Sequence, residues 1–363
     1  MHNARFATNQ ACHDHLLQKR WGGKPQCPTC GNDHLIYYLS TRNIYKCSEC
    51  YKQFSVTQGT IFHKSKIPLT KWFQAIYFFT TMKRGVSSIQ LAKWLGIKQH
   101  SAWFLLHRLR EAMKDENNII LQGIVEADES FFMPKIGRDK RLQIAKSIHD
   151  KNQEKLNGLT KSQRYRLGIK LKRGRKKGTT KEVIEQQKLE RDGKPYSSKT
   201  PSQRVPFEQG AVLLGMIEQR GRVVMKVLGP DDRSITRDNI FPLLKKHISA
   251  NSILHTDQLN LYDTTNEFFA GHFTVNHKKT YCENGVHTND MENAWKHVKK
   301  MIDGTYFHIS FHHVKRYISE NTYRWNRREQ TEREIFEDFF SLVSEKRITY
   351  KELKDRKENK LAA

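Results

Sequence analysis

Gly123-Ile-Val-Glu126-Ala-Asp128-Glu129-Ser-Phe-Phe132 reads as a β-strand that ends in acids. By period two, Glu126 shares a strand face with Asp128, and Glu129 points the other way. Downstream, Ala211–Glu218 (AVLLGMIE) and Arg222–Leu228 are apolar, β-branched strands, and Gln219-Arg-Gly221 joins them as a hairpin. Asn239–Ile248 has a helical pattern. Ser252–Thr256 (SILHT) is a strand running straight into Asp257, and Phe273–Asn276 is a further short strand. Asn289–Ile302 and Val314–Arg328 are helices. Three strands, a helix, two strands and then helices fit an α/β domain with a mixed central sheet, of the ribonuclease-H-like kind.

In that arrangement the first and fourth strands are neighbours. Asp128, Asp257 and Glu292, the last on a following helix, then converge. Three carboxylates together repel unless they hold cations. Oxygen ligands of this kind suit two Mg²⁺ or Mn²⁺ ions about 3.5–4 Å apart. Taken singly, each acid is more simply an ordinary surface residue. The apolar strands that feed directly into Asp128 and Asp257 favour the metal reading.

The N-terminal part carries a second metal pattern. Cys27-Pro-Thr-Cys30 and Cys47-Ser-Glu-Cys50 are two Cys-x-x-Cys turns separated by sixteen residues. They supply the four thiolates of a closed tetrahedral zinc site, with His34–Leu39 and Ile44–Cys47 as a hairpin between them. Without a secretory signal these thiols are expected to stay reduced, which argues against disulfides. Cys12, His13 and His15 read as ordinary residues rather than extra ligands, and Cys282 as structural. Thr70–Lys83 is helical in pattern, with Trp72, Ile76 and Phe79 or Phe78 on one face. Ser87 or Ser88 caps a short helix ending at Leu95, Gly96 permits a turn, and Lys98–Met113 forms a second helix. This is helix-turn-helix spacing. Lys98, Gln99, His100 and Ser101 sit where a recognition helix meets bases, and Arg108 and Arg110 are candidate phosphate contacts. An ordinary helical hairpin has the same spacing.

Charge supports nucleic acid as the partner. The 363 residues carry a net charge of +26. Residues 1–118 hold 17 Lys/Arg against 6 Asp/Glu, and residues 134–206 hold 22 against 7, so the remainder is neutral. Two basic blocks beside a neutral remainder suit a polyanion. The second contains Lys172, Arg173, Arg175, Lys176 and Lys177, a candidate DNA grip or a solvated insertion. A 37% hydrophobic share with 10% aromatics is enough for a core and excludes disorder throughout. The longest largely apolar run, Trp72–Met82, is eleven residues and is interrupted by Gln74, whereas a membrane helix needs about 20. A soluble, cytoplasmic, nucleoid-associated bacterial protein is expected, with no membrane partner.

Several segments together resemble DDE transposases of bacterial insertion sequences, the zinc-ribbon group allied to the eukaryotic Merlin transposons. They are Phe54–Phe62 through Trp72, Val125-Glu-Ala-Asp128-Glu129, Thr256-Asp257 with Tyr262, His287-Thr-Asn289-Asp-Met-Glu292-Asn-Ala-Trp295 with Lys299, Tyr306–Ser310, and Tyr323-Arg-Trp-Asn326-Arg-Arg328. The resemblance implies Asp128, Asp257 and Glu292 as the catalytic triad, with Asn289 a lesser candidate for the third position. The 35 positions from Asp257 to Glu292 suit that triad. It also implies Lys299 as a phosphate contact beside the metals, and a homodimer bridged by DNA. The 134–206 stretch is longer and more basic than the family leads one to expect.

The domains expected are a zinc ribbon at 1–62, a helix-turn-helix module at 63–118, a catalytic domain at 119–340 interrupted by the basic insertion, and a basic tail at 341–363. The expected activity is cleavage of transposon ends and transfer of the 3′-hydroxyl strand into target double-stranded DNA. The alternatives are a DNA-binding regulator without strand transfer and a metal-dependent nuclease or resolvase.

Overall fold

The computed structural model describes residues 5–114, 119–132, 211–228, 236–258, 260–262, 264–275, 285–307 and 309–354. Cys282 and the basic insertion, with Lys172, Arg173, Arg175, Lys176 and Lys177, lie outside the described residues.

Helix α1, Asn9–Trp21, opens the described chain. Thr8 caps it by accepting from the Ala11 N–H, and Gly22 ends it at φ 61°. The strands β1 (Ile36–Leu39), β2 (Ile44–Cys47) and β3 (Gln53–Phe54) form an antiparallel ribbon in that order. Its small core is Cys27, Tyr45, Cys47 and Phe54, with Trp21 of α1 packed against it.

Three helices follow: α2 (Leu69–Thr81), α3 (Ser88–Leu95) and α4 (Gln99–Ala112). Ser87 caps α3 by accepting from the Gln90 N–H at 3.2 Å. Gly96 takes φ 58°, a conformation that costs a residue with a Cβ about 1–2 kcal/mol. The Ile97 N–H then reaches back to Ala92 O at 3.1 Å and satisfies a terminal carbonyl of α3.

The run Leu105 to Arg110 of α4 is buried without interruption. This corrects the expectation that Arg108 and Arg110 meet phosphate. Arg108, 5% exposed, donates to His63 O at 2.5 Å and lies over the Trp72 ring. Arg110, 1% exposed, pairs with Glu320 at 2.8 Å and lies 3.9 Å from the Tyr317 ring centroid. Both are interior residues whose charges are met by protein groups. A guanidinium so enclosed has no access to a DNA backbone.

His107 is fully buried between the rings of Trp103, His313 and Tyr317, and neither ring nitrogen has a hydrogen-bond partner. Burial, reinforced by Arg110, His313 and Arg316, holds it neutral well below the usual histidine range, and burial likewise takes His313 down to about 4. The unfolded chain therefore binds more protons than the native one from about pH 6.5 downward, and stability is lost as pH falls. We expect the melting temperature to drop between about pH 6.5 and pH 4, and His107→Phe to flatten that drop. An unchanged slope in the variant would show that His107 is not the group responsible.

The second core is a five-stranded sheet of order β6-β5-β4-β7-β8. Its strands are β4 (Ile124–Phe132), β5 (Ala211–Glu218), β6 (Val223–Val227), β7 (Ile253–Asp257) and β8 (Gly271–Val275). β4–β5 and β5–β6 are antiparallel; β4–β7 and β7–β8 are parallel. Alternation makes both faces apolar. Val125, Ala127, Leu214, Met216 and Leu254 pack with Ile240 and Leu244 of α5 (Arg237–His247). Leu213, Ile217 and Met225 face α6 (Asn289–Met301) and α7 (Val314–Asn326). A five-residue π-helical stretch, Ile302–Tyr306, continues α6.

The C-terminal boundary differs from the expectation. Helix α8, Glu332–Phe339, starts at a capping box of Thr331 and Glu334. Its Phe336 and Phe339, with Phe340 and Val343, join Phe6, Phe73 and Phe79 in the N-terminal helical core rather than the sheet. The described part of the 341–363 stretch packs on the N-terminal helices. The Ile61 N–H donates to Val343 O at 3.2 Å, and Leu353 of α9 (Tyr350–Lys354) is buried. No helix among the described residues is long and apolar enough to cross a membrane.

Candidate active site and zinc ribbon

The sulfur atoms of Cys27, Cys30, Cys47 and Cys50 all lie within 4.8 Å of one another. Cys27–Cys50 and Cys30–Cys47 are each separated by 3.6 Å. This is too far for a disulfide and close to the roughly 3.8 Å between sulfurs that a tetrahedral zinc with bonds of about 2.3 Å requires. Backbone N–H groups of Cys50 and Glu49 and the Asn32 amide hold the Cys47 thiol down to about 6, which favours the thiolate a metal needs. The four-cysteine cluster fits a structural zinc. Cys12, His13 and His15 are core residues: the Cys12 thiol faces Phe6 O, His13 meets Tyr45 Oη, and His15 packs among Phe6, Phe73 and Phe340.

Structural zinc contributes on the order of 10 kcal/mol to small ribbons. A strong chelator should therefore melt β1–β3 while the sheet persists, and native mass measurement should find one zinc per chain. Cys47→Ser with zinc still bound at full stoichiometry would contradict this assignment.

The acids lie on the sheet. Asp128 on β4 faces α6 and accepts from Trp295 Nε1 at 2.9 Å. Glu126 pairs with His255 across the parallel β4–β7 register, which places Asp257 further along β7 on the same face. Glu292 is in the first turn of α6, with a side chain 38% exposed, and Lys296 Nζ lies 3.7 Å from its Oε2. Burial pushes the Asp128 carboxyl up to about 6; the charge of Asp257 and then of Glu292 push the same way, while the Trp295 hydrogen bond opposes. A half-buried acid under the field of two others is a place where a bound cation relieves repulsion, so the residues fit a divalent ion. The fit is not a closed cage: among the described residues only the cysteines bring three or more metal-capable atoms within 4.8 Å of one another.

Glu129 does turn to the opposite face, as period two requires, yet it is not idle. It accepts a hydrogen bond from the buried Tyr262 hydroxyl, and burial takes it up to about 7, with Asp128 and Asp257 adding to the rise. Sequence periodicity placed it correctly and missed the tyrosine. Asp290 is engaged by the β5–β6 turn, accepting from the Arg220 N–H at 2.7 Å. Asn289 and Lys299 are exposed. Lys98, Gln99 and His100 are exposed at the start of α4 and Ser101 is half-buried; Gln99 Nε2 donates to Ser88 Oγ at 2.9 Å. The structural pieces thus define a four-cysteine ribbon and a helical module joined to a carboxylate-bearing mixed sheet.

Residues 7–53 match the transposase zinc-ribbon domain, and residues 185–326 match the ISXO2-like transposase domain. The second match includes Asp257, Glu292 and Lys299 and leaves Asp128 outside it. The chain is 29% identical over 144 residues to a protein described as an uncharacterized protein in transposable element ISH50 of Halobacterium salinarum, covering 39% of this chain and 48% of that one. It is 28% identical over 106 residues to an uncharacterized transposase-like protein of Haemophilus influenzae, covering 29% of this chain and 83% of that one. The match thus spans about half the length of the first relative. No solved structure matches the chain. The chain belongs to the zinc-ribbon, ISXO2-like DDE transposase family.

Proposed function

We propose that the chain is a DNA transposase that binds the terminal inverted repeats of its element, cleaves the DNA ends and joins the 3′-hydroxyl strand to target DNA. The observation that carries this is Asp128, half-buried in the middle of β4 beside the parallel strand that ends in Asp257, and under the combined charge of Asp257 and Glu292. The strand order supports a ribonuclease-H-like catalytic domain. Asp128, Asp257 and Glu292 would hold Mg²⁺ or Mn²⁺. Such ions supply activation of a water or 3′-hydroxyl oxygen and stabilise the leaving oxygen of an in-line displacement.

The chain's own groups do the positioning. Trp295 Nε1 holds one oxygen of Asp128 and so turns the other toward the site. Lys299, two turns after Glu292 on an exposed face of α6, offers a mobile cation to a substrate phosphate. The capped α3, the Gly96 turn and α4 support a helix-turn-helix reading, with Lys98, Gln99, His100 and Ser101 presented to DNA bases. The basic insertion with Lys172, Arg173, Arg175, Lys176 and Lys177 adds phosphate contacts. A homodimer bridging two ends in the bacterial cytoplasm completes the proposal. Labelled inverted-repeat ends with the zinc-loaded protein and Mg²⁺ should give metal-dependent nicks and then joined products. Tight binding with no cleavage in Mg²⁺ or Mn²⁺ would favour the regulator instead, and cleavage without joining the nuclease.

A further inference from the structure

Glu126 is fully buried on the face of β4 that carries Asp128. An acid so enclosed requires partners, and those of Glu126 lie in the first turn of α6 and just before it, the Asp290 N–H among them. Its Oε2 accepts from the Met291 N–H at 3.0 Å, and its Oε1 lies 2.9 Å from His287 Nδ1. A helix start leaves four N–H groups without acceptors, and a carboxylate there also suits the positive end of the helix dipole. Thr288, at the N-cap position of α6, makes no side-chain capping bond. The acceptor comes instead from a strand, so the bond that completes the helix start also ties it to the sheet.

Met291 immediately precedes Glu292. One turn on, Trp295 makes the second tie, to Asp128. Gly215, paired with Asp128 on β5, makes room for this close approach. A Cβ at Gly215 would stand 2.5 Å from Met291 Cε and 2.6 Å from Trp295 Cζ2.

We propose that Glu126 is a positioning residue of the carboxylate centre: by holding the first turn of α6 to β4 it sets Glu292 relative to Asp128, without touching substrate or metal. This rests on Glu292 and Asp128 being metal ligands. Because the role depends on reach, not on charge, the order of two substitutions tests it. Glu126→Gln keeps the length, an oxygen for the Met291 N–H and an amide that can donate to His287 Nδ1. Glu126→Asp keeps the charge but is one methylene too short to meet both partners.

The test uses the full-length, zinc-loaded protein bound to its end DNA, with Mn²⁺ affinity measured by calorimetry beside the Mg²⁺ dependence of cleavage and the melting temperature. Glu126→Asp should weaken Mn²⁺ binding by roughly 10–100-fold, as loss of a group supporting metal ligands does. Glu126→Gln should stay close to the native affinity. The reverse order, with Glu126→Gln the more damaging, would mean that Glu126 is itself a ligand and overturn the proposal. Lower melting temperatures with unchanged Mn²⁺ affinity in both variants would reduce Glu126 to core packing and overturn it as well. Native protein that binds no Mn²⁺ would instead sink the metal-centre reading, and the positioning role with it.

Discussion

Asp257→Asn is expected to abolish metal-dependent cleavage of transposon-end DNA while leaving end binding intact. The asparagine keeps the shape of the side chain and removes its charge. Divalent-ion catalysis of phosphoryl displacement is worth several kcal/mol of transition-state stabilisation, so the rate should fall on the order of 10³-fold or more. Asp128→Asn and Glu292→Gln should behave alike, since the charges of Asp257 and Glu292 both act on Asp128. Loss of Asp257's charge also lowers the repulsion at Asp128, so the variant should be no less stable than the native chain.

The control must be an acid away from this field. Glu129 is unsuitable because Tyr262 donates to it and its charge is coupled to Asp128 and Asp257. Exposed Glu267 is suitable, and Glu267→Gln should cleave normally. Near-native cleavage by Glu292→Gln would remove Glu292 from the triad and bring Asn289 forward, since Asp290 is already held by the Arg220 N–H.

Glu320→Ala should be the most destabilising single change in the described structure. Glu320 is fully buried and accepts from Arg110 Nε at 2.8 Å, Tyr306 Oη at 2.6 Å and Arg324 Nη2 at 2.8 Å. Arg324 also donates to the carbonyls of Phe79 and Met82 at the end of α2. This one carboxylate therefore joins α2, α4, the π-helical stretch and α7. The attraction of the two guanidinium groups outweighs burial and keeps its pKa below the usual range. Removing one partner of a buried pair costs about 3–5 kcal/mol, because the remaining charge is left in the interior. For a domain of this size that is on the order of 10 °C in melting temperature.

Replacing both members of the pair is a different matter. Arg110→Met with Glu320→Leu should recover much of the loss, since buried ion pairs exchanged for apolar side chains are often neutral. A double variant as unstable as Glu320→Ala would place the cost in Arg324 and Tyr306 rather than in Arg110. DNA-end binding measured below the melting transition should survive in both, because the exposed start of α4 is untouched.

Much of this protein was legible because the signals are local. The cysteine spacing needs only two short turns facing each other. The strands from β4 to β8 follow from period two and β-branched content, and the neighbouring of β4 and β7 was expected only through the ribonuclease-H-like arrangement that the element order fits. Ser87 and Gly96 mark the ends of α3 by their own backbone preferences. Helix α1 had a Thr8 cap and a Gly22 stop, but its weakly amphipathic pattern concealed it.

What the chain alone did not reveal depends on partners far away in sequence. Whether Arg110 faces DNA or the interior is decided by Glu320, 210 positions on, since a buried guanidinium is stable only where an acid meets it. Only packing assigns Phe336 and Phe339 of α8 to the core of Phe6 and Phe73. The role proposed for Glu126 and the need for glycine at 215 likewise exist only once α6 lies on the sheet. Sequence by itself determined most of the elements and the cysteine cluster that fits zinc, because backbone preference and side-chain type are properties of short segments. Tertiary structure alone decided which charges are interior and which helix holds the acids together, because burial is a property of the whole packed chain.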